Sequence, residues 1–249
     1  MISRTELELT VRSYKGPSEL GKAAGQHAAE VLTVSLAKND TVRLMLAAAP
    51  SQEATLTTLI SIPGIDWTRV ECFHMDDYLG LAAAAPQGFA NWLERVVFDS
   101  INVKEFHRID PSNEPHEEAL RYEHVMGCDP FDLVLCGLGV NGHLAFNDPV
   151  ADFDDPQGAR LIELDSVSRQ QQVDEGHFTS IDDVPIQAIT VTIPRLLNSA
   201  CVIASVPGSA KRMAVAKTLD MPISGLHPGT ALRTHANAHL YLDKESDPR

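Results

Sequence analysis

Basic residues are scarce in this chain of 249: 20 Lys and Arg stand against 34 Asp and Glu, a formal net charge of −14. Such a surface repels nucleic acid and anionic membranes, so neither is expected as a partner, and an anionic ligand needs a local cluster of positive groups. Long apolar runs are also missing. None approaches the roughly 18 residues of a membrane span, and Met1–Leu9 is too polar for a secretory signal. The four cysteines, Cys72, Cys128, Cys136 and Cys201, are scattered without C-x-x-C spacing, and three of them sit in apolar runs that suit reduced core thiols. These absences point to a cytoplasmic chain. No H-E-x-x-H is present, and the i, i+4 pair His235 and His239 falls in a Pro/Ala/Asn-containing tail, so no metal site is expected. A Walker loop is absent, and Gly137-x-Gly139 lacks the third glycine of a dinucleotide fingerprint.

What is present is an alternation of strands and helices. Strands are expected at Leu7–Val11, Val42–Ala48, Val70–Met75, Phe131–Leu138, Arg160–Leu164, Ala188–Ile193, Ala200–Val206 and Leu240–Leu242. Helices are expected at Ser18–Lys38, from about Ser51, near Phe89–Phe98, at Glu114–Val125 and at Ser209–Leu219. Strands alternating with helices of this length predict an α/β fold, a doubly wound, mostly parallel, Rossmann-like sheet flanked by helices. No repeat, low-complexity tract or clear linker divides residues 1–249, which read as a single domain. Ala151–Val184, rich in Asp, Gln and Ser, breaks the rhythm for over thirty residues, as lids and binding loops do.

Chemistry-bearing residues fall at the ends of the expected strands. Phe131–Pro149 (FDLVLCGLGVNGHLAFNDP) is an apolar run that empties into Gly137, Gly139 and Gly142 and then His143, with Asn147 and Asp148 behind. Glycines there let backbone amides approach an anion, and a histidine moves protons near neutral pH; plain loop chemistry is the alternative. His74-Met75-Asp76-Asp77-Tyr78 ends a strand at paired acids, which serve either as a helix cap or as a general base. Gly208-Ser209-Ala210-Lys211 brings a lysine to a helix start, an anion-binding arrangement. Ala47-Ala48-Ala49-Pro50-Ser51-Gln52 joins strand to helix through small residues, which either admit a ligand or pack tightly.

FHMDDYLGL (73–81), GLGVNGHLAFNDP (137–149), Val184-Pro185 with Ala188–Val191, and Gly208–Lys211 occur in this order in glucosamine-6-phosphate deaminases, which the chain resembles over nearly its whole length. The wider superfamily includes 6-phosphogluconolactonase, which shares the glycine–histidine turn but carries an S-D-E-R-type segment where this chain has HMDDY. The resemblance implies that Asp76 takes the C2 proton of an opened amino-sugar phosphate and returns it to C1. The enolamine then loses ammonia to leave a ketose phosphate. It implies that His143 opens the pyranose ring, supported by the positions of Asn141 and Asp148. Phosphate would be held by backbone amides around Ala47, Ala48 and Ser51, near Gly137 and Gly139, by Lys211, and by a lid arginine whose nearest match is Arg169. No metal or organic cofactor is implied.

Three departures stand out. Asn141 replaces the usual aspartate, so it orients His143 without stabilising an imidazolium as a charge would. Asp148 replaces a glutamate and shortens that arm by one methylene. AAAPSQ replaces a Gly/Thr-rich phosphate loop. The expected function is conversion of glucosamine 6-phosphate to fructose 6-phosphate and ammonia. The alternatives are a 6-phosphogluconolactonase-type lactone hydrolase and a catalytically silent sugar-phosphate-binding protein. A small-molecule sugar phosphate is the expected partner, and the sequence leaves a homo-oligomer open.

Overall fold

Short apolar runs, each bounded by turns, fold into parallel strands because both of their faces are covered. The computed structural model describes residues 5–249; the first four residues of the polar opening segment lie outside them. The chain begins with β1 (Thr10–Tyr14), α1 (Pro17–Leu36), β2 (Val42–Leu46), α2 (Pro50–Ser61), β3 (Val70–His74) and β4 (Asp76–Tyr78). It continues through α3 (Phe89–Leu93) with a π-turn extension at Glu94–Phe98, then β5 (Glu105–His107), α4 (Pro115–Met126) and β6 (Leu133–Cys136). The last third holds β7 (Ala159–Glu163), α5 (Ser166–Asp174), β8 (Gln187–Val191), α6 (Ile193–Leu197), β9 (Val202–Val206), α7 (Arg212–Asp220) and β10 (Ala238–Asp243).

Seven strands form one sheet in the order β1-β10-β9-β6-β2-β3-β5, and every neighbouring pair is parallel. Strand residues alternate between two cores. Met45, Phe73, Val134, Cys136, Val202 and Leu240 face one, which also contains Tyr122 and Met126 of α4. Leu44, Leu46, Cys72, Leu133, Leu135 and Ile203 face the other, against Leu20, Ala24 and Leu32 of α1 and Leu56 and Leu59 of α2. On that face α1 lies tightly on α2: a Cβ at Gly21 would stand 2.4 Å from the Ala54 Cβ, and one at Gly25 would stand 2.6 Å from the Thr55 carbonyl. Only glycine permits that approach, which fixes α2 and the loop that precedes it.

The doubly wound parallel sheet is the expected architecture, with two differences in detail. The first strand begins at Thr10 rather than Leu7. More consequentially, Arg160–Leu164 and Ala188–Ile193 supply strands of a separate antiparallel sheet, β4-β8-β7, and not of the parallel one. Met75 is the joint: its N–H donates to Leu46 O at 3.1 Å, while its carbonyl accepts from Val191 N at 2.8 Å. The chain therefore leaves the main sheet at Met75 and enters the small one at Asp76.

Candidate active site

Strand order reverses beside β2. From β2 the chain winds outward through α2 to β3 and β5, whereas β6 lies on the other side and leads toward β9 and β10. The carboxyl ends of β2 and β6 thus part at a topological switch point, where open α/β sheets leave a crevice for ligands. A cavity partly continuous with solvent occupies it. Its wall includes Ala47, Ala48, Ser51, Asp76, Gly137, Gly139, His143 and Lys211. Asn141, Asp148 and Arg169 do not line it.

The two adjacent acids divide their work. Asp77 accepts hydrogen bonds from the backbone N–H groups of Tyr78 (2.9 Å), Phe89 (2.9 Å) and Ala90 (3.0 Å), and so ties down the start of α3. Burial pushes its carboxyl up, against those three amides and the Arg108 charge, to about 6. Asp76 caps no helix and, although only 6% exposed, faces the cavity. Burial, and secondarily the neighbouring Asp77 charge, raise its carboxyl well above the ordinary range, which brings a carboxylate toward the basicity that proton transfer near neutral pH requires.

His143 is held from behind. Its Nδ1 lies 3.0 Å from Asp148 Oδ1 and 3.0 Å from Ser168 Oγ, and Ser168 donates to the same Asp148 oxygen at 2.5 Å. Asn141 supports both partners: its Nδ2 donates to Asp148 Oδ1 at 2.9 Å, and its Oδ1 accepts from the His143 backbone N–H at 3.0 Å. Burial pushes the Asp148 carboxyl up, but the hydrogen bond and charge of His143, with Ser168 and Asn141, hold it below its usual value. A carboxylate on Nδ1 leaves Nε2 as the working nitrogen. The ring lies flat against Gly139, where any Cβ would come within 2.3 Å of it.

Segment 151–184 is not a bare loop: it contains β7 and α5. Four residues of α5 and its C-terminal turn meet the rest of the site at i, i+3, i+4 and i+7. Ser168 reaches His143 and Asp148; Gln171 Oε1 accepts from Val140 N at 2.9 Å; Gln172 Oε1 accepts from Tyr78 Oη at 2.6 Å; and Glu175 Oε1 meets Lys211 Nζ at 3.2 Å. Arg169 falls off that face. Its guanidinium donates to the carbonyls of Ile181 and Val184, so the expectation that it faces the phosphate region is corrected. The cation in the cavity wall is Lys211, buried beside Glu175; burial pulls its pKa down and Glu175 opposes the fall. Sequence reading missed Gln52, Phe89, Gln171, Gln172, Glu175 and His177, which also line the cavity. The spacing of 168, 171, 172 and 175 unites them only once Ser166–Asp174 is known to be helical.

Across the loop at Ala47–Ala49, α2 begins with Pro50, which has no N–H; the Gln52 N–H already donates to the Ala49 carbonyl at 2.9 Å, which leaves the Ser51 N–H as the first-turn amide without an intrahelical acceptor. Gln52 Nε2 donates to Ser205 O at 2.9 Å. The opposite oxygen, Oε1, is buried without a partner, an acceptor open to a donor. Among the described residues, the one group of three metal-ligating side chains, His27, Cys201 and His239, lies outside this cavity. No helix among them is long and apolar enough to cross a membrane.

Residues 15–151 match the family model of glucosamine-6-phosphate isomerases and 6-phosphogluconolactonases. A glucosamine-6-phosphate deaminase of Streptococcus sanguinis is 30% identical over 223 residues, covering 89% of this chain and 92% of the relative. One of Shouchella clausii is 29% identical over 228 residues, covering 89% and 91%. In three dimensions a monomeric glucosamine-6-phosphate deaminase superimposes with a TM-score of 0.86 at 25% identity, covering 96% of this chain and 98% of that one. A 6-phosphogluconolactonase from Trypanosoma brucei shares the fold at a TM-score of 0.77 and 18% identity, covering 96% and 98%.

Proposed function

The chain belongs to the family of glucosamine-6-phosphate isomerases and 6-phosphogluconolactonases, and from that premise we propose that it is an enzyme of amino-sugar metabolism that converts glucosamine 6-phosphate to fructose 6-phosphate and ammonia. One observation carries the choice between the two chemistries: Asp76 is a buried carboxyl with a raised pKa, turned to the cavity while its neighbour Asp77 is spent on α3. Isomerisation with deamination needs such a base, whereas hydrolysis of a lactone does not. The similarity to deaminases along most of the chain supports the same reading.

In this mechanism the sugar phosphate enters with its anion toward Lys211 and the Ser51 N–H of α2. His143 Nε2 takes the C1-hydroxyl proton and passes it to the ring oxygen as the ring opens, and Asp148 stabilises the transient imidazolium from Nδ1. Asn141 fixes the loop that carries the histidine and polarises Asp148, without adding charge of its own. Asp76 then removes the C2 proton, leaving an enolamine. The same carboxyl returns the proton to C1, and water replaces the nitrogen at C2 as ammonia departs. One carboxylate within reach of two adjacent carbons suffices for both transfers. The segment 151–184 acts as a lid, because α5 touches the general acid, its carboxylate and the lysine at once.

The test is to supply glucosamine 6-phosphate and measure ammonia and fructose 6-phosphate together. Equal amounts of both support the proposal. Hydrolysis of 6-phosphogluconolactone without ammonia release, surviving Asp76→Asn but not His143→Gln, reverses it in favour of the lactonase chemistry.

A further inference from the structure

We propose a soft-metal site, of the kind that takes Zn²⁺, built from His27, Cys201 and His239, distinct from the cavity at the switch point. The three residues come from three elements: His27 from the middle of α1, Cys201 from the residue before β9, and His239 from the second position of β10. One ligand atom from each lies within 4.8 Å of the others. Ordinary Zn–N and Zn–S lengths of about 2.0–2.3 Å require them only to draw slightly together around the ion. Cys201 and His239 stand at the amino ends of their strands, and the catalytic cavity lies at the carboxyl ends, so the two sites share no residue.

The surroundings of His239 hold its imidazole in the form a metal needs. His239 Nε2 lies 2.8 Å from Asn237 Oδ1, an oxygen that only accepts, so the proton sits on Nε2 and Nδ1 carries a lone pair. That Nδ1 is buried and has no hydrogen-bond partner. His27 Nδ1 lies 3.0 Å from the Tyr241 hydroxyl, which leaves Nε2 as its remaining donor atom. Metal-binding histidines are commonly oriented this way, by a hydrogen bond at the nitrogen that does not ligate. The rings meet edge to face at 4.5 Å.

Cys201 supplies the soft donor. Its thiol is free and buried, with its pKa pushed up to about 11 by burial. Binding breaks the S–H bond as the S–Zn bond forms, and releases one proton to solvent. Two imidazoles and one thiolate select a borderline-soft ion such as Zn²⁺ over Mg²⁺ or Ca²⁺. Arg12, whose guanidinium holds the Tyr241 hydroxyl, opposes the incoming charge, and Glu30 favours it. A surface cavity lined by His27, Glu30, Ser35, Cys201 and Asn237 gives an ion its way in and leaves a coordination position for water. His235 is not part of the cluster: its Nε2 is spent on the Ser199 carbonyl at 2.8 Å.

The deciding experiment titrates the reduced, chelator-treated full chain with Zn²⁺ by calorimetry and with Co²⁺ by absorption. One ion per chain is expected, with a thiolate-to-cobalt charge-transfer band in the near ultraviolet. Cys201→Ser should abolish the band, and His239→Gln should abolish tight binding. Asn237→Ala, which removes the orienting oxygen together with the Nδ2 bond to the Ala200 carbonyl, should weaken Zn²⁺ by about 10- to 100-fold. If the buried Cys201→Ser change unfolds the chain, as circular dichroism would reveal, the half-buried His27→Gln takes its place and should weaken Zn²⁺ at least as much. Absence of stoichiometric binding, or binding unchanged in these variants, overturns the site. Conversion of glucosamine 6-phosphate does not enter the readout, so failure here leaves the proposed function untouched.

Discussion

The hydroxyl of Ser168 donates to Asp148 Oδ1 at 2.5 Å, so a residue of α5 completes the support of a histidine that belongs to a different loop. Ser168 is fully buried, and it also lies 3.0 Å from His143 Nδ1. Seating α5 and orienting His143 are therefore one event.

Removing that hydroxyl tests the link. A hydrogen bond to a charged group contributes about 1.5–3 kcal/mol, and tenfold in rate corresponds to about 1.4 kcal/mol. Ser168→Ala is expected to lower kcat by roughly tenfold or more, with a smaller change in KM. Steady-state ammonia release measures both; an unchanged kcat rejects the coupling.

Gly139→Ala probes the contact from the other side. The added methyl would meet the His143 ring at 2.3 Å, so the ring must move while the rest of the fold stays in place. Displacements of about 1 Å in a catalytic group cost on the order of 10²-fold. A loss of that size in kcat, with a circular dichroism melt close to that of the parent, is the expected result.

Glu175 sits on the cavity lysine, Nζ to Oε1 at 3.2 Å, and competes with any incoming anion. Glu175→Gln frees Lys211, so inorganic phosphate should bind several-fold tighter. Lys211→Met should weaken phosphate instead. Calorimetric titration of both variants decides; weaker binding in Glu175→Gln means the carboxylate organises the anion site rather than occupying it.

The acid limb of the pH–rate profile should lie above the ordinary carboxylate range. In the proposed mechanism Asp76 works as a base, so activity should be present above its pKa and disappear as pH falls through it. Burial and then the Asp77 charge raise that pKa. Asp77→Asn removes the charge and keeps one oxygen to accept from Tyr78 and Phe89, at the expense of the bond from Ala90, so the limb should move to lower pH. A limb that stays in place assigns it to another group.

The same shift has a stability consequence of definite sign. Asp76 binds its proton more tightly folded than unfolded, so stability falls as pH rises from the ordinary carboxylate pKa through the raised folded one. A neutral amide avoids that loss. Asp76→Asn should melt at neutral pH at a temperature equal to or above the parent, measured by calorimetry.

Legibility in the sequence followed burial. The runs that became β2, β3, β6 and β9 are mostly apolar, broken only by Arg43, Glu71, His74 and Ser205, because helices or the small sheet cover both faces, and such runs announce themselves. β4 is three residues, Asp-Asp-Tyr, and β5 is Glu-Phe-His; neither is long enough to show a period. α5 was concealed for a different reason. Its inner face is Ser168, Gln171 and Gln172, polar because it closes over a polar cavity, so it carries no apolar stripe. Asp76, His143, Gly139 and Lys211 stood out as polar or glycine residues at strand ends. Glu175 and Arg169 depended on the phase of α5, which spacing along an unassigned segment does not reveal.

The central claim is that Asp76 carries the C2 proton of glucosamine 6-phosphate. Its most direct test is the turnover of Asp76→Asn, set beside calorimetric binding of the same sugar phosphate. General-base catalysis is worth about 10²–10⁴-fold, so kcat should fall at least that far while binding stays within a few-fold of the parent. Ammonia and fructose 6-phosphate produced by Asp76→Asn within tenfold of the parent rate would contradict the assignment.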